Sequence, residues 1–203
     1  MPHFFNFDGL DHSLFILQNL CHGSRNYCMQ EKLGRTLPRE SPGASDEPLG
    51  KIAPATSIDR WYSYYGHLKS SVSETVIEAA VKLRMLQDFV RSDHDDIDIC
   101  DMDRRAIDGN VLGIIEPEAE KLTLRECANK VIHATDAQLE WIKSESDGSP
   151  YEYWSGNYIL SGTKGNIPWR LTLYILPWSA AMTRFNLIVQ EEVDWHHVHK
   201  HDQ

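Results

Sequence analysis

The 203-residue chain lacks any uninterrupted apolar run of about 18 residues, the length that a membrane-spanning helix requires. Its N-terminal segment also lacks a basic stretch followed by a clean apolar stretch, so the sequence predicts no signal peptide. Both absences favour a cytoplasmic protein without a membrane partner. The length suits one domain, and a content of 41% hydrophobic and 25% charged residues is typical of a globular fold.

Basic residues are few, since 20 Lys and Arg stand against 30 Asp and Glu, and the formal net charge is −10. Such a surface repels phosphate backbones, which excludes broad, non-specific nucleic-acid binding but leaves a local basic groove open. The sequence contains no P-loop, dinucleotide fingerprint, nucleophile elbow or H-E-x-x-H zinc motif, so we expect no cofactor.

Cysteines are also few, and their spacing matches no zinc motif, so we expect buried thiols rather than a metal site or disulfides; they are Cys21, Cys28, Cys100 and Cys127. Four histidines close to the C-terminus could bind a transition metal, namely His196, His197, His199 and His201. Chain ends are usually mobile, which favours an adventitious tail over a metal centre.

Apolar periodicity predicts a first helix over about residues 9–31 and a long helix over about 57–91. Between them, residues 34–56 are rich in Pro and Gly, which indicates a linker or long loop. Residues 92–105 carry six Asp, but they lack the Gly and the bidentate Glu of a calcium loop. This segment is therefore predicted to be a solvated acidic loop.

The C-terminal part favours a hairpin. Asp147 and Gly148 begin a turn, and alternating residues then predict strands over 151–161 and 167–176. The aromatic residues of this hairpin could form a platform that stacks bases, but packing against helices needs the same residues and is favoured. Residues 177–190 fit a helix, with a third strand as the alternative.

Residues 122–143 are predicted to form the helix around which the chain is organised. Thr123 and Glu126 fit the T-x-x-E capping box, which satisfies free amides at a helix start. At about 100° per residue an apolar face forms, which consists of Leu124, Ala128, Val131, Leu139 and Ile142. A polar face forms beside it and carries Arg125, Asn129, His133, Asp136 and Glu140. That face is interpreted either as solvated surface or as a functional stripe.

The segment NKVIH at residues 129–133 resembles the core of the HEPN signature, in which an Arg and a polar residue, often Asn, precede a His. HEPN domains are compact helical bundles, usually dimeric, and many are metal-independent RNases of toxin and defence systems. The resemblance covers about twenty residues and puts the family's Asn and His at Asn129 and His133. The family's Arg position holds Ala128, so Arg125 is the candidate replacement.

The resemblance implies that His133 acts as general acid or base, Asn129 positions the substrate, and Arg125 stabilises the phosphorane-like transition state. It further implies RNA as a partner and a homodimer in which two motif helices meet. A chain derived from such a domain without its activity fits the same residues. The alternative hypothesis is a non-enzymatic protein that uses the polar face of the helix to contact a protein partner.

The predicted fold is α+β but mainly helical, a helical bundle with long antiparallel helices and a C-terminal β-hairpin. The corresponding division of the chain is an N-terminal helix at 1–33, a Pro/Gly-rich linker or loop at 34–56, a HEPN-like helical domain with the hairpin at 57–195, and a His-rich tail at 196–203.

Overall fold

The computed structural model describes residues 7–34, 57–93, 97–117 and 122–193. Residues 35–56 of the predicted linker and the predicted His-rich tail lie outside the described residues. Five helices and four strands occur in the described part, in the order α1 (Phe7–Gln30), α2 (Ser57–Asp93), α3 (Ile99–Ile107), β1 (Gly113–Glu116), α4 (Leu124–Ile132), β2 (Asp136–Ser146), β3 (Ser149–Lys164), β4 (Ile167–Tyr174) and α5 (Ile175–Glu192).

The four strands form one antiparallel sheet in the order β1-β4-β3-β2. The two predicted hairpin strands are present as β3 and β4, but they form the centre of this sheet rather than a terminal appendage. The prediction of a helical bundle with a C-terminal hairpin is therefore wrong, and the chain has a mixed α+β fold. The sheet contains two strands more than the predicted hairpin, because β1 pairs with the outer edge of β4 and β2 pairs with the outer edge of β3.

The predicted helix over 122–143 is correct only in its first part. It begins at the expected capping box, in which the Glu126 amide donates to Thr123 Oγ1 at 3.1 Å and the Thr123 amide donates to Glu126 Oε2 at 3.1 Å. It ends at Ile132, and β2 begins at Asp136. The remaining segment is extended because its backbone pairs with β3 from Asp136 to Ser146 across a tight turn.

That turn, at Asp147 and Gly148, has positive φ at both residues, 52° and 72°. Two consecutive residues with positive φ are the geometry of the tightest β-hairpin connections, and Asp-Gly is among the residue pairs that favour it. The predicted turn is confirmed, but it joins two strands instead of following a helix.

The predicted first helix and the predicted long helix at 57–91 are confirmed as α1 and α2, close to their predicted bounds. α1 packs against α2, α5 and β3, and α2 packs against α4. One large apolar core unites the helices with the inner face of the sheet. Residues 175–192 are helical, which decides between the two alternatives for the segment after the hairpin. No helix within the described ranges is long and apolar enough to cross a membrane.

The predicted acidic loop is wrong where it overlaps α3. Asp98 caps this helix by accepting from the amides of Cys100 and Asp101, at 2.9 and 3.2 Å. Four apolar residues of α3 are buried in the core, namely Ile99, Met102, Ala106 and Ile107. Three of the six aspartates thus belong to this helix: Asp98 caps it, and Asp101 and Asp103 lie within it. Residues 94–96 lie outside the described residues.

Packing, rather than a base-stacking platform, is confirmed for the aromatic residues of the hairpin. Trp154, Tyr158 and Tyr151 are buried, and so is Trp169. The expectation of buried thiols is confirmed for Cys28 and Cys127, but Cys100 is exposed. Burial raises the pKa of the Cys28 thiol to about 11, which makes it an inert apolar group at neutral pH.

Candidate functional site

A cleft of about 390 Å³ opens beside α4, next to Ile115 of β1 and the β3–β4 hairpin. Its size lies in the range of small-molecule sites. Apolar side chains on its walls are Ile115, Leu122 and Trp169, and polar ones are Glu126, Asn129, Lys130, His133, Thr163 and Lys164.

Two of the three residues singled out in the sequence line this cleft, namely Asn129 and His133. His133 is the residue that ends α4, and its amide donates to the Asn129 carbonyl at 3.0 Å. Its side chain is exposed because the helix stops there. The helix end thus presents an imidazole to the cleft, one turn beyond Asn129.

The orientation of the Asn129 amide is fixed by α2. The Arg84 guanidinium donates to Asn129 Oδ1. A guanidinium has only donors, so its partner on the amide has to be the oxygen. The Nδ2 hydrogens of Asn129 are therefore left for the cleft, where they can only donate.

Arg125, the third residue, does not line the cleft. Its Nη2 lies 2.7 Å from Asp88 Oδ1 on α2, and Asp88 also pairs with Arg84 at 3.3 Å. Desolvation raises the pKa of Asp88, but the hydrogen bonds and charges of Arg125 and Arg84 outweigh it and leave that pKa below its usual range. The two guanidinium groups thus form a shared ion pair that joins α2 to α4.

Glu126 reaches the cleft, but the capping box restrains its carboxylate. Oε2 accepts from the Thr123 amide and from the Thr123 hydroxyl, at 3.1 and 3.2 Å. A carboxylate at the first turn of a helix also interacts favourably with the positive end of the helix dipole. Glu126 therefore contributes to holding the N-terminus of α4 rather than acting as a free base.

Lys130 and Trp169 form the back of the cleft. The Lys130 ammonium lies 4.4 Å from the centroid of the Trp169 ring, a cation–π distance. Trp169 is only 7% exposed and is closely packed on Gly162, where an added Cβ would lie 2.4 Å from a ring carbon. The ring is therefore a wall of the cleft and not a free surface on which a base could stack.

Behind the cleft, Asp103 of α3 supports the start of α4. It is 6% exposed, and its Oδ2 accepts from the Leu124 amide at 3.2 Å. Desolvation raises the pKa of Asp103 to about 6, although the hydrogen bond from Leu124 lowers it. A buried acid from one helix thus holds the helix that carries Asn129, Lys130 and His133.

No family model, curated protein or solved structure matches this chain.

The described walls of the cleft combine apolar side chains with hydrogen-bond donors and one carboxylate, that of Glu126. Donors predominate, because Lys130, Lys164, His133 and the Asn129 amide can all donate hydrogen bonds. Among the described residues, no group of three or more His, Cys, Asp or Glu side chains is arranged to hold a metal ion. The described side chains thus offer hydrogen bonds and positive charge to a ligand.

Sequence reasoning missed Lys130, Lys164, Trp169 and Arg84. Lys130 lies inside the NKVIH segment, and its position one turn before the end of the helix places it near His133. Lys164 and Trp169 come from the two arms of a hairpin, and Arg84 lies 45 residues before Asn129. No local pattern links these residues, so their meeting depends on the tertiary fold.

Proposed function

We propose that the chain is a binding protein for a small anionic molecule with an apolar part. The observation that carries the proposal is the set of four donor groups around one cleft with apolar walls. The anionic group of the ligand accepts from Lys130, Lys164, His133 and the Asn129 amide. Its apolar part packs on Ile115, Leu122 and Trp169, which resembles the general build of small-molecule sites.

The organisation of the donors supports binding. The Arg84 guanidinium holds the Asn129 amide in one orientation, so this donor needs little reordering when a ligand arrives. The cation–π contact restrains Lys130 in the same way. Fixing donors before binding lowers the entropy cost of association.

The proposal is tested by thermal and chemical unfolding with matched probes. We expect phenyl phosphate and phenylacetate to stabilise the protein, and benzyl alcohol and benzylamine to leave it unchanged. A ligand at one hundred times its Kd should raise the free energy of unfolding by about 2.7 kcal/mol. Lys130→Gln should weaken binding of both anions, and of phenyl phosphate by about tenfold, because it removes one charge-assisted hydrogen bond.

Lys69→Gln is the matched control, since Lys69 lies on α2 and does not line the cleft. This variant should bind both anions as the unmodified protein does. Equal stabilisation by the neutral and the anionic probes would contradict the proposal, and so would equal losses in the two lysine variants.

A second candidate function is metal-independent RNA cleavage, the activity that the HEPN-like hypothesis implies. It is favoured by the position of His133 and Asn129 on one cleft together with Lys130. His133 would transfer the proton, and Asn129 would position the phosphate. Because Arg125 and Arg84 are engaged with Asp88, Lys130 or Lys164 would stabilise the charge of the transition state. The HEPN-like origin and the homodimer stay hypotheses, and light scattering would test the latter.

RNA cleavage is tested by incubating the purified protein with total RNA in EDTA. If the hypothesis is correct, His133→Ala abolishes cleavage, and Lys130→Ala lowers the rate more than Arg125→Ala does. His67→Ala is the matched control, because His67 is an exposed residue of α2 outside the cleft. The same background from the unmodified protein and from His133→Ala would exclude this candidate and leave the binding function unaffected.

A further inference from the structure

We propose that the anionic group taken by the cleft is a phosphomonoester rather than a carboxylate or a phosphodiester. This inference rests on the anion-binding function proposed above and identifies the ligand's charged group. It follows from the type and number of the cations, from the lack of an ion pair between them and any described carboxylate, and from the absence of a guanidinium on the described walls.

The cations on the described walls of the cleft are ammonium groups and not guanidinium groups. A guanidinium offers two parallel donors that match the two oxygens of a carboxylate, whereas an ammonium acts as a point charge. The guanidinium groups of Arg84 and Arg125 do not line the cleft and already have partners. Arg84 donates to Asn129 Oδ1, and Arg125 pairs with Asp88. The positive charges on the described walls of the cleft are the ammonium groups of Lys130 and Lys164.

The two lysines bring positive charge to the cleft from separate parts of the fold. Lys130 and Lys164 come from different elements, α4 and the end of β3, and both line the cleft. Neither forms an ion pair with a carboxylate of the described residues. Glu126 is the acidic side chain on these walls, and its Oε2 already accepts from Thr123. The carboxylate of Glu126 keeps its negative charge, but the two lysines, which no described carboxylate pairs with, can each contact a different oxygen of one dianionic group.

The donors of the cleft match the acceptor oxygens of a phosphomonoester in number. A phosphomonoester carries close to two negative charges above pH 7 and three strongly accepting terminal oxygens. The cleft offers donors from Lys130, Lys164 and Asn129, and the His133 imidazole can add another. A carboxylate has two oxygens and one charge, and a phosphodiester has two terminal oxygens and one charge, so each leaves part of this donor set unused.

The apolar walls of the cleft limit the size and shape of the rest of the ligand. The apolar walls of the cleft lie next to the donors, and Trp169 is packed too tightly to accept a stacked ring on its face. The volume of about 390 Å³ is at the lower end of the range for small-molecule sites. The ligand is therefore a compact phosphomonoester whose body contacts the wall edgewise, rather than a polymer that continues in both directions.

The inference is tested by calorimetry at pH 8 with three probes that share one ring: phenyl phosphate, methyl phenyl phosphate and phenylacetate. We expect phenyl phosphate to bind at least about tenfold more tightly than either monoanion, because only the dianion uses both lysines. Lys130→Gln and Lys164→Gln should each weaken phenyl phosphate most and bring the three affinities together. Lys69→Gln should preserve the preference.

The two proposals fail in different ways. If the three probes bind equally to the unmodified protein and the lysine variants weaken all three alike, the phosphomonoester assignment is overturned while the anion-binding function stands. If none of the probes binds, or if the lysine variants bind like the unmodified protein, the anion-binding function itself fails. Lys164 is exposed, so its variant keeps the test valid even if Lys130→Gln disturbs the packing of Trp169.

Discussion

The Gly162→Ala variant is expected to lose about 2 to 3 kcal/mol of unfolding free energy, in the range of overpacked protein cores. A Cβ at this position would lie 2.4 and 2.8 Å from two ring carbons of Trp169 and 3.1 Å from the His133 carbonyl oxygen. Trp169 is buried and cannot swing into solvent without exposing a large apolar surface. Gly162 does not have a positive φ, so the expected loss comes from crowding and not from backbone strain.

Chemical denaturation measures this loss, and Gly66→Ala is the matched control. Gly66 lies inside α2 with nothing within 4 Å of an added Cβ. Alanine there should stabilise the protein by about 0.5 to 1 kcal/mol, since it favours the helix. A second check is Trp169→Leu, which should restore part of the stability of Gly162→Ala, because a smaller side chain makes room for the methyl group. Additive losses in this double variant would contradict the proposed contact.

The Asp103→Asn variant should become more stable relative to the unmodified protein as the pH rises from 4 to 7, by about 2 kcal/mol. The folded-state pKa of Asp103, about 6, lies above the ordinary aspartate value of 3.8. Between these values the folded state binds the proton that the unfolded state has lost. The stabilising contribution of the protonated acid is therefore complete below pH 3.8 and disappears as the pH rises through 6.

In the Asp103→Asn variant the side-chain amide keeps an oxygen that can accept from the Leu124 amide. It has no proton to lose and no charge to desolvate, so the variant should lack this pH dependence. The measurement is urea denaturation at several pH values. Asp108→Asn is the control, because it removes the same charge from an exposed residue at the end of α3. Unfolding curves for Asp103→Asn that keep a constant difference from the unmodified protein at all pH values would contradict the raised pKa.

The segment after α4 shows why part of the fold could not be predicted. Leu139, Glu140 and Lys143 are residues that favour helices, and the apolar spacing continues the helical pattern of α4. The segment is a strand because it pairs with β3 from Asp136 to Ser146, with one irregularity between Leu139 and Trp141, and because Trp141 packs against Trp61 and Tyr65. Non-local pairing therefore overrides a local preference that is worth only tenths of a kcal/mol per residue.

The Asp147–Gly148 turn was a signal for this strand. A two-residue Asp-Gly connection usually joins two antiparallel strands, so it implies a strand before the turn as well as after it. The same local chemistry makes the start of α4 predictable, because the capping box of Thr123 and Glu126 needs only residues three apart. Signals that are complete within a few residues are those that the sequence alone reveals.

By itself, the sequence determined the two long helices, the start of α4, the strands β3 and β4 and the position of Asn129 one turn before His133. Each depends on the periodicity or capping of neighbouring residues. Only the tertiary structure decided that β1 and β2 complete a sheet and that Lys164 and Trp169 meet α4. It also decided that Arg125 pairs with Asp88 and that Arg84 donates to the Asn129 amide oxygen. These contacts join residues tens of positions apart, and their partners are selected by packing and charge in three dimensions, which no short pattern encodes.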